Sequence, residues 1–286
     1  MRHAVVDNRG NAHPSDQGAL SGRPSRRVAS SSFSNFSSFG SQRNSRFNDA
    51  AMAPSWHMVA ARELGERIKD GGVGEVFTAR EIHRKGWRHL SDREKVQDAL
   101  DALAATDFFT AEVWTKGGLV TYYVLFFMHV ATRRVHVAGV TPYPHEAWKT
   151  QMARNVTMAD DGFLWSHRYL IHDRDGKFCP AFVDTIKSVG IKAVKLPARS
   201  PNLNCFAERW VRSVKEEFLS KLILFGEASL RRAVAQFETH FHEERPHQGK
   251  GNVILFPLSE NSDVGGPIRC RERLGGLLKY YHREAG

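Results

Sequence analysis

The sequence predicts an α/β protein: a mixed five-stranded sheet flanked by helices, preceded by a small helical, winged-helix-like module and an N-terminal tail without order. Three observations predict it. From residue 107 onward, runs rich in β-branched and aromatic residues alternate with amphipathic stretches in the order βββαβαβαα, the grammar of a mixed sheet with helices on its faces. Residues 56–103 carry helical spacing instead. Residues 1–50 hold eleven Ser, seven Arg and three Asp with no Lys or Glu, and they show neither period. These shifts divide the 286 residues into a Ser/Arg-rich tail (1–55), the helical module (56–103) and a core (104–286) that closes on a basic C-terminal helix.

The tail has too few aliphatic residues to pack and reads as disordered. Its Arg/Ser-rich, acid-poor composition is also that of an organelle transit peptide, but a basic tail or an overextended start is preferred, with Met52 and Met58 as later starts. In the module, "MVAARELGERI" has apolar residues at helical spacing. "TAREIHRKG" places Thr78 as N-cap with Glu81 completing a capping box, and "SDREKVQDALDALAATDFF" places Ser91 as the next cap with Glu94 three residues on. Three short helices with a basic middle segment suit a helix-turn-helix unit or a protein-contact domain equally.

In the core, "DFFTAEVW", "VTYYVLFFMHV" and "RRVHVAGVT" are strands joined by the turns "TKGG" and "ATRR", an antiparallel meander. "HEAWKTQMARNVTMADD" is helical, "RYLIHD" a strand, "AFVDTIKSVG" a helix closed by Gly190, and "IKAVKLP" a strand stopped by Pro197. "NLNCFAERWVRSVKEEFLSKLI" predicts a long amphipathic helix whose apolar side is Trp210, Val211, Val214 and Phe218. "SLRRAVAQFETHFHEE" predicts another, ended by Arg245-Pro246.

Charge narrows the partner. With 41 Lys+Arg against 31 Asp+Glu the chain carries +10, which on a globular protein marks a polyanionic partner, nucleic acid before membrane. Three scattered cysteines, Cys179, Cys205 and Cys270, make neither a disulfide framework nor a CxxC zinc site and suit a reducing, cytoplasmic, nucleoid-associated setting. The longest apolar run, twelve residues from Leu119 to Val130, is too short for a membrane span.

On this basic background three acids stand out by position. Asp107 lies in the first strand, Asp173 ends the fourth, and Glu208 lies in the first turns of the long helix. A meander followed by a crossover makes strands one and four neighbours, so Asp107 and Asp173 can face each other, and a helix returning over the sheet can bring Glu208 beside them. Three carboxylates repel unless a cation sits among them, and an all-oxygen set suits Mg²⁺ or Mn²⁺. Two such ions clamp the attacking and leaving oxygens of an in-line phosphoryl displacement.

The pieces "DFFTAEVWT", "HDRDGKF", "LPARSPNLNCFAERWVRSVKEEFL" and "HFHEERPHQGKGN" together resemble the catalytic core of DDE-type insertion-sequence transposases, relatives of retroviral-type integrases with an RNase H-like fold. Asp173 and Glu208 are separated by 34 residues, close to that superfamily's spacing. The resemblance implies that Asp107, Asp173 and Glu208 are the catalytic and metal-binding triad, holding Mg²⁺ or Mn²⁺ as two ions. It implies DNA strand cleavage and strand transfer at element ends and target, in a homo-oligomer. Arg212 and Lys215 share the Glu208 face at i+4 and i+7, and with Arg209, Lys195 and Arg199 they are the candidate DNA contacts. The segment "FTAREIHRKGWRHLSDREKVQDALDAL" departs from the helix-turn-helix units such transposases carry and looks more like a helical module at the end of other mobile-element proteins.

Competing readings stay open. Asp175 rivals Asp173, but the family's phenylalanine five residues on fits Asp173 with Phe178. "DRDGKF" fails as a calcium loop because Gly176 is fourth and Lys177 takes a ligand slot. His172 reads as a hydrogen-bonded strand end, and His240, His242 and His247 lack the cysteine and the spacing of a zinc site. Two other functions compete with the transposase: a decayed, binding-only DNA protein and a generic RNase H-like nuclease.

Overall fold

Why the strands find one another is visible in their register. The computed structural model describes residues 56–70, 79–196, 204–258 and 266–283, all within one compact unit. The tail, the Thr78 cap and Arg199 lie outside the described residues. Strand β1 (Leu103–Thr115) pairs antiparallel with β2 (Gly118–His129) from Ala104↔His129 to Thr115↔Gly118. Strand β3 (Val135–Thr141) pairs antiparallel with β2, with a bulge between Leu125 and Phe126. The chain then crosses through α4 (Glu146–Val156) to β4 (Tyr169–His172), which runs parallel to β1 through Ala105↔Ile171. Helix α5 (Pro180–Ser188) leads to β5 (Lys192–Lys195), parallel to β4. The sheet order is β3-β2-β1-β4-β5, the mixed five-stranded sheet expected.

Strand β4 and the Val124–Met128 part of β2 are buried on both faces, as the near-continuous apolar run in β2 requires. On one face Ala104, Leu125, Phe127 and Leu170 pack against Ala153 and Val156 of α4 and Phe182 and Ile186 of α5. Gly139 permits this approach: a Cβ there would stand 2.6 Å from Met152 Sδ and 2.7 Å from Trp148 Cζ2. On the other face Phe109, Val113, Val124 and Phe126 meet α6 (Cys205–Glu217) and α7 (Gly226–Glu243) through Trp210, Val214, Phe237 and Phe241. The three N-terminal helices, α1 (Trp56–Lys69), α2 (Ala79–Arg84) and α3 (Arg93–Asp101), contribute Leu64, Ile68, Ile82 and Val96 to this same core.

Four local expectations need correction. The cap of α3 is Asp92, whose side chain accepts from the Glu94 N–H, in place of Ser91. Strand β1 begins at Leu103, four residues before the predicted start, because parallel pairing with β4 captures the Ala-rich segment that propensity assigns to helix. Helix α6 stops at Glu217, and a single 3-10 turn follows at Leu219–Lys221. The C-terminal segment is no basic helix: after the short pair β6 (Pro246–His247) and β7 (Val253–Ile254), strands β8 (Ile268–Arg273) and β9 (Leu278–Arg283) form a hairpin.

That hairpin is fastened to α7 by a buried carboxylate. Glu244, 1% exposed, accepts from Arg273 Nη2 at 2.7 Å and Nε at 2.9 Å, and pairs with His240 Nδ1 at 2.9 Å. Burial pushes the Glu244 carboxyl up, but the hydrogen bonds and charge of Arg273, with His240 and Arg271, outweigh it and hold the group down at about 2. Among the described residues no helix is long and apolar enough to cross a membrane.

Candidate active site

The rim where β1 and β4 run parallel is built by counting. The last paired residues are Ala105 and Ile171. Side chains alternate along a strand, so the next residues on the same face are Asp107 and Asp173, two positions on in each strand. Both ride on the face covered by α6 and α7, since Ala105, Ile171 and Phe109 belong to that core. Strand β4 ends at His172, so Asp173 stands at the point where the chain leaves the sheet. Its Oδ1 accepts the Asp175 N–H at 3.0 Å, an Asx turn that fixes the departing loop.

Helix α6 is set against this rim by aromatic packing. Trp210, 1% exposed, lies 4.3 Å from the Phe126 ring and meets Phe109 edge-on at 5.6 Å. Phe126 is the β2 residue directly opposite Asp107. Asn204 Nδ2, just before the helix, donates to Thr106 O at 3.4 Å. The first turns of α6 are thereby held beside Asp107, and Glu208 rides there on the exposed side.

Electrostatics ties the three acids together. Burial foremost raises the Asp107 carboxyl to about 7; the Phe108 N–H, donating to Oδ1 at 2.7 Å, opposes this, while Asp173 and Glu208 push it further up and Lys177 pulls it down. Glu208 is raised as well, by partial desolvation and by Asp173, against the opposing charge of Arg212. Asp107 thus senses both other acids, and Glu208 senses Asp173. Among the described residues, however, no three His, Cys, Asp or Glu side chains form a group that could hold a metal ion.

The remaining candidates divide. Lys195 faces His172 across the β4–β5 ladder, at the same rim as Asp173. Arg209, Arg212 and Lys215 are exposed along α6, and Arg212 is close enough to lower Glu208. Asp175 forms an ion pair with Lys177 and accepts its N–H at 2.9 Å; burial raises its carboxyl, but these contacts with Lys177 together hold it below the ordinary range. His172 is 4% exposed and hydrogen-bonded through Nδ1 to Asp173 O at 2.7 Å. Its ring packs on Phe178, which also touches Phe108 and so braces both strand ends. His240, His242 and His247 go separate ways, to Glu244, to the Val135 N–H and to Phe241 O. Lys177 was missed by sequence reasoning: only its effect on Asp107 brings it to the site, and a lysine in a polar loop gives no signal of that.

Residues 189–253, which include Glu208 and all of α6 and α7, match the integrase core domain family. The match is to that stretch alone, and the sheet is mixed and five-stranded with helices on both faces. Among solved structures, the catalytic core domain of BIV integrase is similar at 14% identity and a TM-score of 0.37, covering 52% of this chain and 88% of that one. The HTLV-2 integrase catalytic core domain, in complex with magnesium and in a trimeric form, is similar at 11% identity and a TM-score of 0.39, covering 54% of this chain and 93% of that one. No curated protein matches the chain in sequence.

Proposed function

We propose that this protein is a transposase or integrase of a mobile element, cutting and joining DNA strands with Asp107, Asp173 and Glu208 as metal ligands. The observation that carries the reading is the placing of Asp107 beside two other acids at one rim, where burial chiefly, and Asp173 and Glu208 in addition, raise it to about 7. A site that holds an acid half-protonated near neutral pH is prepared for a cation. The donor set is all oxygen, which fits a hard divalent ion. Mg²⁺ or Mn²⁺, as two ions, would supply Lewis-acid polarisation of the attacking and leaving oxygens.

The chain's own residues do the rest. Asp173 is oriented by its turn to Asp175, and Asp107 by the Phe108 N–H. Glu208 is carried on a helix fixed by Trp210, so the three acids keep their relation as substrate arrives. Arg209, Arg212, Lys215 and Lys195 present unburied positive charge around them and would hold the phosphate backbone of the DNA in register. We place Arg199 in the same role. Strand transfer joins two DNA segments, so the working form is proposed to be a homo-oligomer.

A second reading is a DNA-binding protein without turnover. It is favoured by one observation: Glu208 is exposed and no three-group metal site is assembled among the described residues. The experiment that separates them is incubation of the protein with Mn²⁺ or Mg²⁺ and duplexes carrying the DNA flanking its gene. Metal-dependent nicking at one end, followed by joining of the new 3′ end to another duplex, is the expected result. Nicking without joining points to a generic nuclease, and binding without nicking to the second reading.

A further inference from the structure

We propose that Arg133, Arg209 and Lys250 form a clamp for one backbone phosphate of bound DNA, beside the carboxylate rim. The proposal rests on the DNA reading above and names a contact made by that same substrate.

The three cations come from distant parts of the chain. Arg133 sits in the β2–β3 turn with a left-handed backbone, φ 68°, a conformation rarely adopted by a long side chain. Its Nη1 donates to Val130 O, and Lys250 Nζ donates to Ala131 O, so two cations hang on consecutive carbonyls of one turn. The Arg133 guanidinium lies over the Phe206 ring. Phe206 and Arg209 are three residues apart in α6 and share a side of the helix, which places Arg209 on the same patch.

Among the described residues, none of the three cations forms an ion pair with a carboxylate. Asp101 is the one acid that Lys250 senses, while Arg133 opposes it. Burial, chiefly, lowers Arg133 to about 9; the Cys205 thiol offsets this in part and Arg209 adds to it. Cation–π stacking on Phe206 compensates only part of the cost of burying a guanidinium. A phosphate oxygen provides the missing counter-charge, and a planar guanidinium with an ammonium beside it matches a phosphodiester.

The patch also lies on the path of a strand leaving the acids. Arg209 directly follows Glu208 in α6. Along β2, the turn begins just beyond His129, three residues past Phe126, the partner of Asp107. Three strand residues rise about 10 Å, which corresponds to about three nucleotide steps along one strand of B-DNA.

The test is the salt dependence of binding to a fluorescent duplex of random sequence, between about 50 and 200 mM salt. The double variant Arg209→Gln/Lys250→Gln is compared with Lys116→Gln/Arg154→Gln, which removes the same charge from exposed positions elsewhere. The clamp variant is expected to lower the slope of log K against log salt by about 1, and the control to leave it unchanged. Equal slopes in the two variants overturn the clamp.

A second arm needs no DNA. Inorganic phosphate, compared with chloride at equal ionic strength, should raise the melting temperature of wild type more than that of the clamp variant. An equal rise in both overturns the clamp. If wild type binds no DNA at any salt, the functional reading fails, and this arm alone decides whether the anion site exists.

Discussion

Replacing Asp107 with Asn is expected to make the protein more stable above pH 7 while abolishing strand cleavage. The fold moves this carboxyl from 3.8 to about 7. At about 1.4 kcal/mol per pH unit, the ionised form is disfavoured in the folded state by about 4 kcal/mol. The sign follows from proton binding. Between those two values the folded state keeps a proton that the unfolded chain has lost, so stability is full below about pH 4 and drains away as pH rises through 7. Asn has no proton to lose, and the Phe108 N–H is already counted in the raised value of about 7. The net expectation is a stabilisation of about 4 kcal/mol at pH 8 and close to none at pH 4. Urea denaturation followed by far-ultraviolet circular dichroism, without divalent metal, measures both. Glu238, also raised to about 7 by burial, contributes the same pH slope to both proteins and cancels in the difference. Parallel pH profiles for wild type and Asp107→Asn would refute the reasoning.

Three further outcomes are expected. Asp173→Asn should lose strand cleavage and keep DNA binding, whereas Asp175→Asn, whose carboxylate is taken up by Lys177, should retain cleavage; a gel assay in Mn²⁺ that gives the reverse reassigns the second acid. Trp210→Ala should cost about 3–5 kcal/mol and reduce cleavage with it, because the indole both fills the core and seats α6; denaturation showing under 1 kcal/mol contradicts that packing. Glu244→Gln should cost about 3–5 kcal/mol at pH 7 by leaving Arg271 and Arg273 without their acid. Because Glu244 is depressed to about 2, its contribution is present above about pH 4.5 and lost as pH falls toward 2, so the variant should show a flatter acid limb.

The central sheet was legible because each strand announces itself locally. The run in β2 is apolar on both faces, and the short turn before it permits one pairing with β1. The crossover then makes β1 and β4 neighbours, as the expected strand order had them. What stayed hidden depends on contacts made after the chain folds. The early start of β1 comes from pairing with β4, which overrides the helical propensity of the Ala-rich segment before Asp107. The cap at Asp92 in place of Ser91 turns on a one-residue difference in where the helix begins. The C-terminal hairpin depends on Glu244, far away in sequence, to receive Arg271 and Arg273. Arg133, Arg209 and Lys250 are ordinary cations in the sequence; only the β2–β3 turn and α6 bring them together.

Melting temperature against Mn²⁺ concentration, for wild type and Glu208→Gln, tests most directly whether the three acids form a metal site. An ion that binds only the folded state raises stability by mass action, and neutralising the repelling acids should add to that effect. A saturable rise is expected for wild type and a much smaller one for Glu208→Gln. The same rise in both proteins would contradict it, because Glu208 would then be no part of the metal site.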